Sequence, residues 1–391
     1  MADKRSIAAV TVARSDFGLY EPLLEKIKAD AALELRLLVS GAHFAPEFGP
    51  TVREIEDKGY DYERGLDMPR DSDSPQSIAS SLGGGVQAFA KAFGTKRPDL
   101  LLVLGDRLEM VCAPIAALPF NIPVAHLYGG KVSEGAVDEL VRHALTKMSH
   151  LHFVTSETHA RRVLQMGEES WRVMNYGSPG LDRLYTRPRT PRGEVYARLS
   201  FDSAQPFLLV TFHPVTLEPL QRDAQVSALL AALAQYDGQI VLTYPNADVG
   251  HAAIIAAFEA FAAPRSARVR LLKNAGAGFY FDLMACATAM IGNSSSGIGE
   301  APSFELPVVN IGTRQAGFER AINVIDVGYD TAGIDAAIRR ATSTEFRAGL
   351  RGLVNPYGDG KSSARIAEAL RSIPLDDRLL RKKFVDRLVP Q

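Results

Sequence analysis

Charged and small polar residues stand directly after short apolar runs at several points in this chain. In an α/β protein those are the positions from which chemistry is done, because strand ends open onto the ligand-binding edge of a sheet. After Ile7–Val12 comes Ala13-Arg14-Ser15-Asp16-Phe17-Gly18. Here Gly18 suits a tight turn, Ser15 or Asp16 suits a helix cap, and Arg14 suits an anion such as a phosphate. After Leu100–Leu104 comes Gly105-Asp106-Arg107, which puts a carboxylate where it serves as acid or base, as a sugar-hydroxyl acceptor, or only as a helix cap. His126-Leu127-Tyr128-Gly129-Gly130-Lys131 follows the next run, then Glu134, Asp138, Glu139, Arg142 and His143. If 138–147 is helical, Asp138 and Arg142 are four residues apart, as are Glu139 and His143. That pattern fits an ion-paired helix, or a carboxylate held toward a ligand by neighbouring cations. Five histidines lie between His126 and His159. None forms a His-x₃-His pair with a carboxylate on one helical face, so neither a metal nor any other cofactor is expected.

The second half repeats the arrangement with different chemistry. Thr211-Phe212-His213-Pro214 and Thr243-Tyr244-Pro245-Asn246 each follow an apolar run. Gly292-Asn293-Ser294-Ser295-Ser296-Gly297-Ile298-Gly299-Glu300 follows another. Hydroxyls and backbone N–H groups at such a turn can cradle a diphosphate, with Glu300 placed for ribose hydroxyls. The segment is neither a G-x-G-x-x-G fingerprint nor a Walker A loop, so dinucleotide and P-loop readings fail. Arg314, after Val308–Ile311, offers a further cation.

These residues need elements to hold them. Ile7–Val12, Leu35–Val39, Leu100–Leu104, Val124–Leu127, His152–Val154 and Val173–Asn175 read as buried parallel strands. Phe207–Thr211, Gln239–Leu242, Val269–Leu272, Ala289–Ile291 and Val308–Ile311 form a second set. Helical patterns alternate with both, which predicts two doubly wound, Rossmann-like α/β domains facing a cleft. The expected boundaries are 1–185, a proline-rich linker at 186–205 with a helix near Val195–Leu199, and 206–373. A last helix at 374–391, with Leu379, Leu380, Phe384 and Leu388 at helical spacing, is expected to pack back across the cleft.

Composition narrows the partners. The 391 residues are 46% hydrophobic and 23% charged, with 44 Lys+Arg against 45 Asp+Glu. That balance argues against general nucleic-acid or anionic-membrane binding. Two distant cysteines, Cys112 and Cys286, make no disulfide framework and point to the cytoplasm. The first apolar run is too short for a signal peptide, and no apolar stretch is long enough to span a bilayer. A homo-oligomeric state is compatible with this composition.

Taken together, the motifs resemble the hydrolysing UDP-N-acetylglucosamine 2-epimerases of sialic-acid-like sugar synthesis. The resemblance rests on Leu104-Gly105-Asp106-Arg107, Glu134-Gly135, Arg142-His143-Ala144, Thr146-Lys147, Ser149-His150-Leu151-His152-Phe153, Thr211-Phe212-His213-Pro214, Asn293-Ser294-Ser295-Ser296-Gly297 and Val309-Asn310-Ile311-Gly312. It implies a GT-B-like fold, a UDP-sugar substrate bound mainly by its nucleotide to the second domain, and elimination of UDP followed by hydration. It implies catalytic roles among Asp106, Lys131, Glu134, Asp138, Glu139 and His213. It implies substrate binding by Arg14, Arg142, Asn246, Ser294, Ser295, Ser296, Gly297, Glu300 and Arg314. Two positions depart from the family pattern. The family has a carboxylate where this chain has Lys131, and Gly-Arg where it has Gly317-Phe318. The charge reversal at Lys131 keeps two other functions open: a UDP-sugar hydrolase or transferase of altered chemistry, and a sugar-nucleotide-binding protein without turnover.

Overall fold

A computed structural model describes residues 4–44, 51–69, 71–72, 74–132, 137–215, 218, 220–246 and 250–387. The chain divides into two compact units, 1–185 with 357–391, and 186–356. In the first, β1 (Arg5–Thr11), β2 (Leu33–Val39), β3 (Leu100–Leu104), β4 (Val124–Leu127), β5 (Leu151–Val154) and β6 (Val173–Asn175) form one sheet. Its order is β2-β1-β3-β4-β5-β6, and every pairing is parallel. In the second, β7 (Phe207–Thr211), β8 (Gln239–Thr243), β9 (Val269–Leu272), β10 (Ala289–Gly292), β11 (Val308–Ile311) and β12 (Val324–Val327) form the other. It runs β12-β11-β10-β7-β8-β9, again all parallel.

The apolar runs are continuous because both faces of each sheet are covered. Ile7 and Ala9 pack into one core with Phe17, Tyr20 and Leu24, while Ala8 and Val10 face a second core with Phe89 and Phe93. The second sheet repeats this, with Leu208 and Val210 on one side and Phe207 and Leu209 on the other. The strand order reverses between β1 and β3 in the first sheet and between β7 and β10 in the second. Those are the crevices where such sheets bind ligands.

Several sequence expectations are corrected. β12 was not foreseen: Asp326 interrupts its apolar pattern, and it lies at a partly exposed edge. Gly18 is inside the helix Arg14–Ala29 and not in a turn. The stretch expected as linker holds the helix Arg192–Leu199, whose Val195, Tyr196 and Leu199 are buried in the second unit. The second unit ends at Pro356, not at 373. The helix Ser362–Ser372 belongs to the first unit, where Ile366, Ala367 and Leu370 join the core against β1. Asp182 fixes its start by accepting from the backbone N–H groups of Ser362 (3.1 Å) and Ser363 (2.7 Å). The tail is helical only over Asp377–Leu380, and residues 382–387 run without regular structure. Leu388 lies outside the described residues.

Candidate active site

In the first unit the residues after β3 and β4 meet the helix Val137–Met148. Arg142 is shut off from water, with its side chain 1% exposed. Its Nη2 pairs with Asp106, and its Nη1 donates to Glu139 Oε2 (2.8 Å) and to the carbonyl of Lys131 (3.1 Å). Glu139 Oε1 also meets His143 Nε2 at 2.9 Å. The foreseen Glu139–His143 pair is therefore present, while Arg142 is tied to Asp106 and Glu139 and not to Asp138. A buried guanidinium must be compensated, and two carboxylates do that here.

Behind this set, His126 is fully buried. Its Nε2 donates to the Gly105 carbonyl (2.8 Å), and its Nδ1 lies 3.2 Å from the Thr146 hydroxyl. Burial holds the ring's pKa down at about 3, so it is neutral and structural. Gly130 sits at φ +78, and a Cβ there would come within 2.3 Å of the His159 carbonyl oxygen. The loop therefore packs flat against the helix Glu157–Gln165. Tyr128 takes φ +68, costly for an aromatic residue, and its hydroxyl is held by Ser178 Oγ at 2.7 Å. Lys131 Nζ lies 4.5 Å from the centre of the Tyr128 ring. Glu134 lies outside the described residues.

Two other carboxyls are tuned toward protonation. Burial raises the pKa of Asp138, and the charge of Asp106 adds to the effect. Burial also lifts Asp16 to about 6, against the opposing pull of Arg107 and of hydrogen bonds from Val12, Ser15 and Ala13. Arg107 Nε is 3.4 Å from Asp16 Oδ1, and its Nη2 donates to Ser15 Oγ (3.1 Å). Arg14, at the start of its helix, is exposed and pairs with Glu54 at 2.9 Å.

The second unit carries a cavity of about 470 Å³ at its switch point, within the usual size of a small-ligand pocket. His213, Asn246, Ser294, Ser295, Ser296, Glu300 and Arg314 all line it. His213 and Asn293 are locked together. The His213 N–H donates to Asn293 Oδ1 (2.7 Å), and Asn293 Nδ2 returns a bond to the His213 carbonyl (2.9 Å). The Asn246 N–H donates to His213 Nδ1 (3.0 Å), so the imidazole proton sits on Nε2. Arg314 Nη1 (3.2 Å) and Gln315 Nε2 (2.9 Å) both donate to the Asn293 carbonyl. Gly297 does not serve the cavity. Its N–H is taken by the Ser294 carbonyl (3.0 Å), and it keeps the turn close to Val308, which a Cβ would approach within 2.9 Å.

Tyr280 was missed from sequence. It sits in the helix Gly276–Cys286 among aromatic residues that read as core. Its hydroxyl meets Thr211 Oγ1 at 3.1 Å and also bonds Ser294 and Ser296, so it braces the serine turn. Asn293 was visible within its motif, but its lock on the His213 backbone was not. Among the described residues, no group of three or more His, Cys, Asp or Glu could hold a metal ion. No helix among them is long and apolar enough to cross a membrane.

Comparison with known proteins settles the kinship. Residues 25–371 match the family model described as UDP-N-acetylglucosamine 2-epimerase. The chain belongs to that family. A Legionella pneumophila relative named UDP-N,N'-diacetylbacillosamine 2-epimerase (hydrolyzing) is 36% identical over 378 residues, 97% of this chain and 98% of that one. A Campylobacter jejuni relative named GDP/UDP-N,N'-diacetylbacillosamine 2-epimerase (hydrolyzing) is 35% identical over 98% of this chain and 99% of its own. Among solved structures, the Neisseria meningitidis UDP-GlcNAc 2-epimerase bound to UDP-GlcNAc superposes with a TM-score of 0.74 at 20% identity, covering 93% of this chain and 99% of that one. The S. aureus MnaA–UDP structure gives 0.72 at 18% identity, covering 94% and 96%. The family fold is thus the GT-B-like α/β arrangement, and the chain is an enzyme like the hydrolysing UDP-N-acetylglucosamine 2-epimerases.

Proposed function

We propose that this epimerase acts on a UDP-linked diacetamido sugar of the N,N'-diacetylbacillosamine type, releasing UDP and the free 2-epimer. The observation that carries the substrate is the near full-length identity of 36% and 35% to two relatives named for that sugar. A Neisseria meningitidis relative named UDP-N-acetylglucosamine 2-epimerase is 30% identical over a similar span.

The residues fit the chemistry. A base removes the C2 proton while the C1–O bond to UDP breaks, leaving a C1=C2 glycal. Water then adds its hydroxyl to C1, and a proton returns to C2 on the opposite face. Asp106 and Glu139, fixed by Arg142, are oriented carboxylates for the proton steps. Asp138, raised toward protonation, suits a group that must give a proton back. Glu134 is a further candidate for these steps. In the second unit, Ser294, Ser295, Ser296 and Arg314 bind the diphosphate, Glu300 the ribose, and the His213 Nε2–H and Asn246 complete the nucleotide contacts. Arg14 is a further candidate cation for substrate binding. Lys131 cannot take a proton from carbon while it is charged. Its ammonium, stacked on Tyr128, balances charge and narrows the sugars accepted.

The test incubates the enzyme in D₂O with UDP-N,N'-diacetylbacillosamine or UDP-N-acetylglucosamine, with products read by NMR. Faster UDP release from the diacetamido sugar, with deuterium at C2, is expected. Preference for UDP-N-acetylglucosamine removes the substrate assignment, and UDP release without deuterium at C2 removes the mechanism.

A further inference from the structure

The tail after residue 376 is bound to the first unit with more care than packing alone requires. Arg172, wholly buried, donates to the carbonyls of Leu379 (2.8 Å), Arg378 (2.8 Å) and Arg381 (3.4 Å). The Val385 N–H donates to the Gly167 carbonyl (2.9 Å), and Arg387 Nε to that of Leu164 (2.8 Å). The Phe384 ring packs against Gly167, where a Cβ would come within 2.5 Å of it. Between these anchors, Lys382 turns inward. Its Nζ donates to the carbonyls of Ser149 (2.7 Å), Lys147 (2.9 Å) and Thr146 (3.4 Å). It also pairs at 2.8 Å with Glu168, a fully buried carboxylate that takes Lys147 (2.6 Å) and His152 (3.0 Å) as well.

Those carbonyls close the helix Val137–Met148, so Lys382 is a cation placed at its C-terminal end. The first turns of the same helix carry Asp138, Glu139, Arg142 and His143. A second route leads to Asp106. The Thr146 hydroxyl meets both the Arg142 carbonyl (3.0 Å) and His126, and His126 holds the carbonyl of Gly105, the residue before Asp106.

We propose that the strap 377–387 is a positioning element for catalysis, with Lys382 as the positioning residue that sets the axial seat of the Asp138–Arg142 helix. This rests on the epimerase reading above. The contacts of the strap named above all lie in the first unit, at the opposite end of the helix from Asp138, Glu139 and Arg142, so its loss should separate turnover from nucleotide binding. A misplacement of reacting groups by about 1 Å costs up to roughly a hundred-fold in rate.

The experiment compares the full-length parent with Lys382→Met, Lys382→Arg and Phe384→Ala. It reads kcat on the UDP-sugar, UDP affinity by calorimetry, and amide exchange over residues 137–148. The expected result for Lys382→Met is a kcat lowered roughly ten-fold or more, unchanged UDP affinity, and faster exchange in the helix. Lys382→Arg should recover part of the rate. Phe384→Ala, which loosens the strap without removing an ion pair, should lower kcat in the same direction and decides the matter if Lys382→Met does not fold. A kcat within about two-fold of the parent, or UDP affinity falling in step with kcat, overturns the proposal. If the parent turns over no UDP-sugar, the epimerase reading fails on its own. Unchanged helix exchange in both variants then overturns the strap's role separately.

Discussion

Arg142 is inaccessible to water and depends on Asp106 and Glu139 for compensation, so substitutions there trade stability against rate. Asp106→Asn keeps the shape but removes one of the anionic partners of the guanidinium. We expect kcat to fall roughly 10²–10⁴-fold, with a melting temperature lowered by a few degrees. Steady-state kinetics beside calorimetry would show it, and a mutant as active as the parent would take Asp106 out of the chemistry. Ser295→Ala with Ser296→Ala should weaken UDP binding by about 1.5–3 kcal/mol for each lost hydrogen bond to the diphosphate; unchanged calorimetric affinity argues that the serines only shape the turn. Lys131→Glu restores a carboxylate beside Tyr128, and we expect it to widen turnover toward UDP-N-acetylglucosamine, so product NMR showing no gain would confine Lys131 to charge balance. Most of these side chains were legible because an apolar run ends and a polar residue of useful chemistry follows at once. Tyr280 was not, since an aromatic residue on a helix looks the same whether it fills a core or braces a serine turn. The Arg142–Asp106 pair was not either, because local spacing favours partners within the helix.

At the level of elements, the two switch points decide where the chemistry sits. Gly292 shows how tightly one of them is built. It closes β10 at φ +133, and a Cβ would stand 2.0 Å from the Thr211 carbonyl oxygen of the neighbouring strand. Gly292→Ala should therefore cost about 3 kcal/mol or more and open the His213–Asn293 lock. Chemical denaturation with UDP titration measures both, and a variant of parental stability would mean the turn has slack the structure does not show. Eleven strands were visible as short apolar runs, most of them unbroken Val, Leu and Ile because both faces are covered, although the edge strands β6 and β9 are only partly buried. β12 escaped because an edge strand is wetted on one side and admits Asp326. The helix Ser362–Ser372 fell inside the expected second domain, because nothing local says which of two similar sheets its Ile366 and Leu370 will cover.

Over the whole molecule, buried histidines set the response to acid. His43 and His150 are held down to about 4, and His126 and His159 to about 3, in each case first by burial. In the unfolded chain they take protons near 6.5. Their contribution is therefore complete above pH 6.5 and lost as the pH falls toward 3, at about 1.4 kcal/mol per pH unit for each ring. Glu168, held at about 2 despite its burial by its bonds to His152, Lys147 and Lys382, acts in the same sense below pH 4.5. Asp16, raised to about 6, acts in the opposite sense, as does Asp138, also raised by burial. The melting temperature should drop steadily from pH 6.5 to 4.5, and a flat profile would contradict neutral burial of these rings. The two-unit division has a further consequence, for the order of events on the ribosome. Residues 186–356 emerge whole before 357–391, so the second sheet can close while the first still lacks Ile366, Leu370 and Leu379 from its core. The nascent chain would then be able to hold UDP before it owns a finished proton-transfer apparatus, through the interval in which the first core still waits for residues 357–391.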